Sequence, residues 1–226
     1  MVALVLEKEK IKFMKETANY IDKLLKDDKV IRKIQKKLPK LFQIANIESS
    51  RAGKVGMEVG VLREKIIVAL LLYVYGENNV ETEVPITEPE TDVLVMGNPI
   101  SIKTKQGTIT SGIKMAWTPD TNSANTFLQT YSPKADMILI HINWNKIGGF
   151  YFFSKTVQQQ IIKTIGKENY VKLPKEGTNN RGVEFSAMAI NKLIEHKNSL
   201  KIEIDWQEEK IDFCVFDRWI ELWQEK

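Results

Sequence analysis

Sulfur and imidazole are scarce in this chain. Cys214 is the only cysteine, so no internal disulfide can form, and an intracellular, reducing, cytoplasmic setting is expected. The two histidines, His141 and His196, have no second His, Cys or carboxylate at ligand spacing, which excludes a zinc site of the usual kind. Long apolar runs are also missing. The longest, Ile66 to Tyr75, is ten residues, too short to cross a bilayer, and reads as a buried helix. Glu7, Lys8, Glu9 and Lys10 follow the first apolar residues too soon for a cleavable signal. There is no Gly-rich phosphate loop of the nucleotide-binding type, no repeat and no low-complexity tract.

What remains is an ordinary globular composition with an uneven charge. Hydrophobic residues make up 43% and charged residues 27%, in a chain of 226 residues that can bury a large core. Residues 1–40 hold twelve Lys and Arg against six Asp and Glu, whereas the rest hold 21 against 23. A basic N-terminal region ahead of a nearly neutral body fits contact with a polyanion, or a solvated helical face.

Ile11, Met14, Ala18, Ile21 and Leu25 recur at helical spacing and predict an amphipathic helix over about 4–27. A second helix follows Asp27-Asp28, and Pro39 is expected to kink or end it. The spacing predicts a helix over 59–75, a strand over 79–86, strands at 92–96 and 100–105, a short helix at 124–131, and strands at 136–144 and 150–153. Helices are then expected near 157–165, over 183–197, and in the Trp-rich tail from 212 to 223, with a strand at 200–204. This is an α+β (mixed α/β) fold with a central mixed β-sheet flanked by helices. The expected organisation is a helical region over 1–56, suited to polyanion contact or dimerisation, and an α/β domain over 57–226.

The most informative stretch is Thr91 to Lys105. It reads as a hairpin with a Gly97-Asn98-Pro99 turn, Asp92 opening the first strand and Lys103 closing the second. Such a hairpin brings the two side chains together. A carboxylate able to hold a divalent cation beside an amine able to touch phosphate or water suits phosphodiester cleavage.

With Asp92 and Lys103 on its middle strands, the order helix, three strands, helix, strand over about 60–143 resembles the PD-(D/E)XK nuclease superfamily. The triplet would be Ser101-Ile102-Lys103, in which Ser101 stands where the family has an acid. Family members often carry a helix glutamate about a dozen residues before a glycine. Here Glu64 precedes Gly76, with Glu58 as the rival, and Arg63 and Lys65 flank Glu64 as phosphate contacts or solvated groups. The resemblance implies Mg²⁺ held by Glu64, Asp92 and the Ile102 backbone carbonyl, Lys103 acting on water or phosphate, and products ending in 5′-phosphate and 3′-hydroxyl. Lys103 to Gly107, Lys134 to Ile140 and Gly177 to Glu184 further resemble type II restriction endonucleases. That implies a homodimer cutting double-stranded DNA at a short palindrome, of G and C only in the subgroup it resembles most. Expected DNA contacts are Arg51, Lys54 and Lys105, and Asn179, Asn180 and Arg181 as base readers or a turn. Met57 is either a minor-groove wedge or a core residue. The alternatives are a junction resolvase or repair nuclease on the same core, and a DNA-binding module without catalysis.

Overall fold

The computed structural model describes residues 20–52, 54–56, 58–85, 90–175 and 182–225. Most of the helix expected over 4–27 lies outside them; its described end contains only a one-turn helix, α1 (Asp22–Leu25). Asp27 then caps α2 (Asp28–Glu48), its carboxylate accepting from the backbone N–H of Lys29 at 2.8 Å. Pro39 neither ends this helix nor bounds it. It removes one backbone donor, but Leu38, Phe42 and Ala45 around it are buried, and that packing carries the helix through.

A two-stranded hairpin, β1 (Ser50–Arg51) and β2 (Lys54–Val55), leads to α3 (Val59–Tyr75), whose bounds are those read from the sequence. The helix ends at Gly76, whose φ of 82° is open to glycine at no steric cost. Only β3 (Val80–Glu81) of the expected strand over 79–86 is regular among the described residues. Next come β4 (Val93–Val95) and β5 (Asn98–Gln106). Their turn is Met96-Gly97, with φ of 49° and 76°, not Gly97-Asn98-Pro99. Two positive-φ residues match the twist of the flanking strands. Asn98 and Pro99 therefore belong to β5, paired with Val95 and Leu94.

β6 (Lys114–Ala116) and α4 (Thr121–Thr130) occupy the crossover before β7 (Asp136–Ile142). β8 (Ile147–Phe153), α5 (Lys155–Ile165), α6 (Lys167–Tyr170) and β9 (Val171–Lys172) follow. The helix expected over 183–197 is two elements, β10 (Val183–Phe185) and α7 (Ala187–Glu195). Val183 and Phe185 alternate inward beside β6 and β9, and Ser186 caps the new helix, accepting from the N–H of Ala189. The chain closes with β11 (Leu200–Asp205) and α8 (Asp217–Gln224).

The main sheet has the order β11-β8-β7-β5-β4-β3; β5 and β7 run parallel and the other neighbours antiparallel. It is covered on both faces, which explains why β7 reads as a continuous apolar run. On one face Ile102, Ile138, Ile140 and Phe150 meet Leu24, Leu38, Phe42, Ile67 and Leu71 of the helices α1 to α3. On the other, Met137, Leu139 and Phe153 meet Val157, Ile161, Ile190 and Leu193 of α5 and α7. Among the described residues no helix is long and apolar enough to cross a membrane.

Candidate active site

The short length of β4 creates the site. Among the described residues it pairs with β5 only from Asn98 to Ile100, and no described strand covers that edge of β5 beyond Ile100. Asp92, just ahead of β4, takes the place of a strand there. Its N–H donates to the Ile100 carbonyl at 2.9 Å, and its Oδ2 accepts from the Ile102 N–H at 2.6 Å. The N–H and C=O of one extended residue leave a strand on the same side. The Ile102 carbonyl therefore faces the same open edge as the Asp92 carboxylate.

Lys103 projects from the middle of β5, not its end, and its Nζ lies 3.8 Å from Asp92 Oδ2. Ser101, buried, donates its hydroxyl to the same oxygen at 3.3 Å. Ser101 is thus a partner of Asp92 and no anionic ligand. Glu64 arrives from the second turn of α3. Burial pushes its carboxyl above the usual range, the charge of Asp92 pushes it further, and Lys103 pulls it back. Glu64 accordingly lies within electrostatic reach of the Asp92–Lys103 pair. Glu58 is not in this group: its carboxylate lies over Gly56, where an added Cβ would stand 2.2 Å from Oε2.

Arg63 corrects a sequence expectation. It does not face solvent or DNA but is buried, with Nη2 donating to Asn46 Oδ1 at 2.7 Å and Gln106 Oε1 at 2.8 Å. Burial lowers its pKa to about 10, so it stays charged at neutral pH. By tying α2, α3 and β5 together it fixes the helix that carries Glu64. Lys65 is exposed. Arg51 and Lys54 are exposed and pair across the β1–β2 hairpin, which leads into the start of α3. Lys105 is half-buried on the same face of β5 as Lys103, its Nζ beside Gly112. Met57, Asn179, Asn180 and Arg181 lie outside the described residues.

One acid escaped the sequence reading. Glu90 lines a cavity with Ser101, Lys103, Tyr131 and Gln158, and its Oε2 accepts from the Lys134 N–H at 3.0 Å. Its only linear signal was its place two residues before Asp92.

Among the described residues no group of three or more His, Cys, Asp and Glu could hold a metal ion. Two carboxylates and a backbone carbonyl are nonetheless a donor set that fits Mg²⁺, which keeps several waters and binds through one or two carboxylates plus substrate phosphate.

A central mixed sheet flanked by helices, with two acids and a lysine gathered at an open strand edge, is the architecture of a restriction endonuclease. The chain belongs to the family described as restriction endonuclease ThaI, whose family model matches residues 24–225. It is similar to a solved structure described as a restriction endonuclease in complex with substrate DNA. The identity is 51% and the TM-score 0.83, over 90% of this chain and 98% of that one. No curated protein matches the chain. The protein is a type II restriction endonuclease, which sets aside the resolvase and inactive-module alternatives.

Proposed function

We propose that this endonuclease hydrolyses both strands of duplex DNA at a short palindrome with Glu64, Asp92 and Lys103 as its catalytic residues. The observation that carries this reading is the Asp92–Lys103 ion pair at the edge of β5 that β4 leaves uncovered, with Glu64 within electrostatic reach of both. Glu64, Asp92 and the Ile102 carbonyl would hold Mg²⁺, which when bound supplies charge neutralisation at the phosphate and a more acidic water. Asp92 is pre-oriented by the Ile102 N–H, so it loses little freedom on taking up a cation. Lys103 offers a positive charge to the non-bridging phosphate oxygens and a donor to the attacking water.

Arg51 and Lys54, exposed at the start of α3, would meet phosphates, with Lys105 behind the catalytic lysine. The sequence-level roles of Met57 as a wedge, and of Asn179, Asn180 and Arg181 at base edges, complete the proposed DNA contacts. The test is digestion of plasmid DNA with Mg²⁺ and sequencing of the fragment ends. Discrete fragments sharing one palindromic end sequence, with 5′-phosphates, are expected, and the bases at those ends settle whether the target is G and C only. Random ends, or cleavage that persists in excess EDTA, overturn the reading.

Cutting both strands calls for two active sites related by a two-fold axis. We assign the dimer contact to α8. Its ion pair from Arg218 to Glu48, at 2.5 Å, ties it to the end of α2. It nevertheless exposes Phe216, Trp219, Ile220 and Trp223 along one stripe, Trp223 to 89%. An exposed apolar face of this kind marks an interaction surface. Residues 1–56 would contribute DNA contacts through the β1–β2 hairpin. The double variant Trp219→Glu, Trp223→Glu is expected to shift the mass measured by light scattering from two chains to one and to turn double-strand cleavage into slow nicking. A two-chain mass for that variant places the interface elsewhere.

A further inference from the structure

The proposed role of Lys103 leaves its ammonium under-supported. Its ion pair with Asp92 spans 3.8 Å, beyond hydrogen-bond length, and Asp92 Oδ2 is already committed to the N–H of Ile102. A divalent cation on Asp92 would draw that carboxylate away and repel the ammonium besides. Lys103 also lies at the edge of a cavity on the face of the sheet opposite α3, with Ser101, Glu90, Tyr131 and Gln158. Gln158 donates its amide N–H groups to the carbonyls of Ala135 and Phe153 and brings no charge to hold the ammonium. Burial pushes the Tyr131 hydroxyl far above the usual phenol range, so it stays neutral. Among the described residues Glu90 is the one acid lining the cavity. Burial holds its carboxyl above the usual carboxylate range, and the Lys134 N–H and the charges of Lys134 and Lys103 pull it only part of the way back.

We propose that Glu90 is a positioning residue for Lys103: its carboxylate, anchored on the Lys134 backbone, forms an anionic rear wall that keeps the ammonium beside the scissile phosphate when cation and DNA occupy the front. The proposal rests on the reading of Lys103 as catalytic. Its logic is electrostatic and geometric. Asp92 and Glu64 are taken up by the metal, so a separate anion, itself no ligand, is required to retain a cation at that spot. The anchor explains why Glu90 points inward, and the turn and bend between Glu90 and Asp92 let one short segment supply both the front and the rear carboxylate.

Glu90→Gln separates this role from a merely structural one, because the amide oxygen can still accept from the Lys134 N–H while the charge is gone. The measurement is single-turnover cleavage of a plasmid fragment that the native enzyme cuts, with gel-shift affinity for the same fragment and thermal melting in parallel. Glu90→Gln is expected to cleave about 10- to 100-fold more slowly, the range seen when outer groups that orient active-site residues are removed. Affinity and melting temperature should stay native, and Glu90→Asp should recover part of the rate. In a Lys103→Ala background, Glu90→Gln should add no further loss. Cleavage by Glu90→Gln within twofold of native overturns the inference, as does a rate loss accompanied by lost stability. If Lys103→Ala itself cuts normally, the reading of Lys103 fails; if Lys103→Ala is inactive while Glu90→Gln is native-like, the role of Glu90 alone fails.

Discussion

Asp92→Asn and Lys103→Ala each reduce cleavage by at least about 10³-fold, the scale of losing a principal electrostatic contact to the transition state. DNA binding and folding survive both changes. The asparagine variant is chosen for its hydrogen bonding. Its side-chain oxygen can still accept from the Ile102 N–H, now bound at 2.6 Å, so the edge of β5 keeps its cap and only the charge is lost. For Lys103 the truncation removes a side chain whose exposure is 20% and whose ion pair with Asp92 is its one salt bridge among the described residues. Little stability depends on a partly exposed pair of this length. Gel shift against a plasmid fragment and a urea melt should therefore match the native protein, while the same fragment stays intact in Mg²⁺ after hours. Full activity in either variant refutes the assignment of the site.

Where local physics decides, the sequence was a good guide. The helix Val59–Tyr75 was legible at both ends because its apolar run has helical length and stops at Gly76. Strand β7 and the Phe150–Phe153 part of β8 were legible from their apolar runs, whereas Ile147 to Gly149, left out of the expected strand, extend β8 by pairing with β11. The failures came where a local rule was overridden. Met96 sits at positive φ, a conformation its side chain disfavours, so the turn was placed one residue late. Phe185 keeps helical spacing with Met188 while it alternates with Val183, and only pairing with β6 and β9 chooses between the two readings. Pro39 obeyed the rule against helix interiors in sequence but not in space, where buried neighbours on both sides hold the helix together.

The site shows the same division. Asp92 and Lys103 could be paired from the hairpin alone, because antiparallel strands return their ends to one place. Glu64 could be preferred to Glu58 only through a family resemblance, and space now separates them: Glu64 feels Asp92 and Lys103, whereas Glu58 folds over Gly56. Arg63 was misjudged because a charge next to a candidate catalytic residue suggests contact with phosphate. Its actual partners, Asn46 and Gln106, are 17 and 43 residues away, a distance at which sequence carries no signal. Glu90 was missed for a similar reason, since its anchor lies 44 residues on.

Glu64→Gln should uncouple stability from function, making the metal-free protein at least as stable as the native one while cleavage falls by at least about 10²-fold. The argument starts from burial. Desolvation and the neighbouring charge of Asp92 both favour the neutral form of Glu64, and Lys103 offsets them only in part. An acid raised in this way costs stability at every pH above its folded value, where it must ionise in place, and glutamine of the same shape carries no such cost. Sites arranged for chemistry commonly bear strain of this sort until their ligand arrives. A cation bound between Glu64 and Asp92 would relieve it, so Mg²⁺ should raise the melting temperature of the native protein in proportion to the logarithm of its concentration. In Glu64→Gln that rise should be absent, with a metal-free melting temperature equal to or above native. Should the variant melt well below the native protein, or keep the full Mg²⁺ response, Glu64 is a structural acid and the cation binds without it.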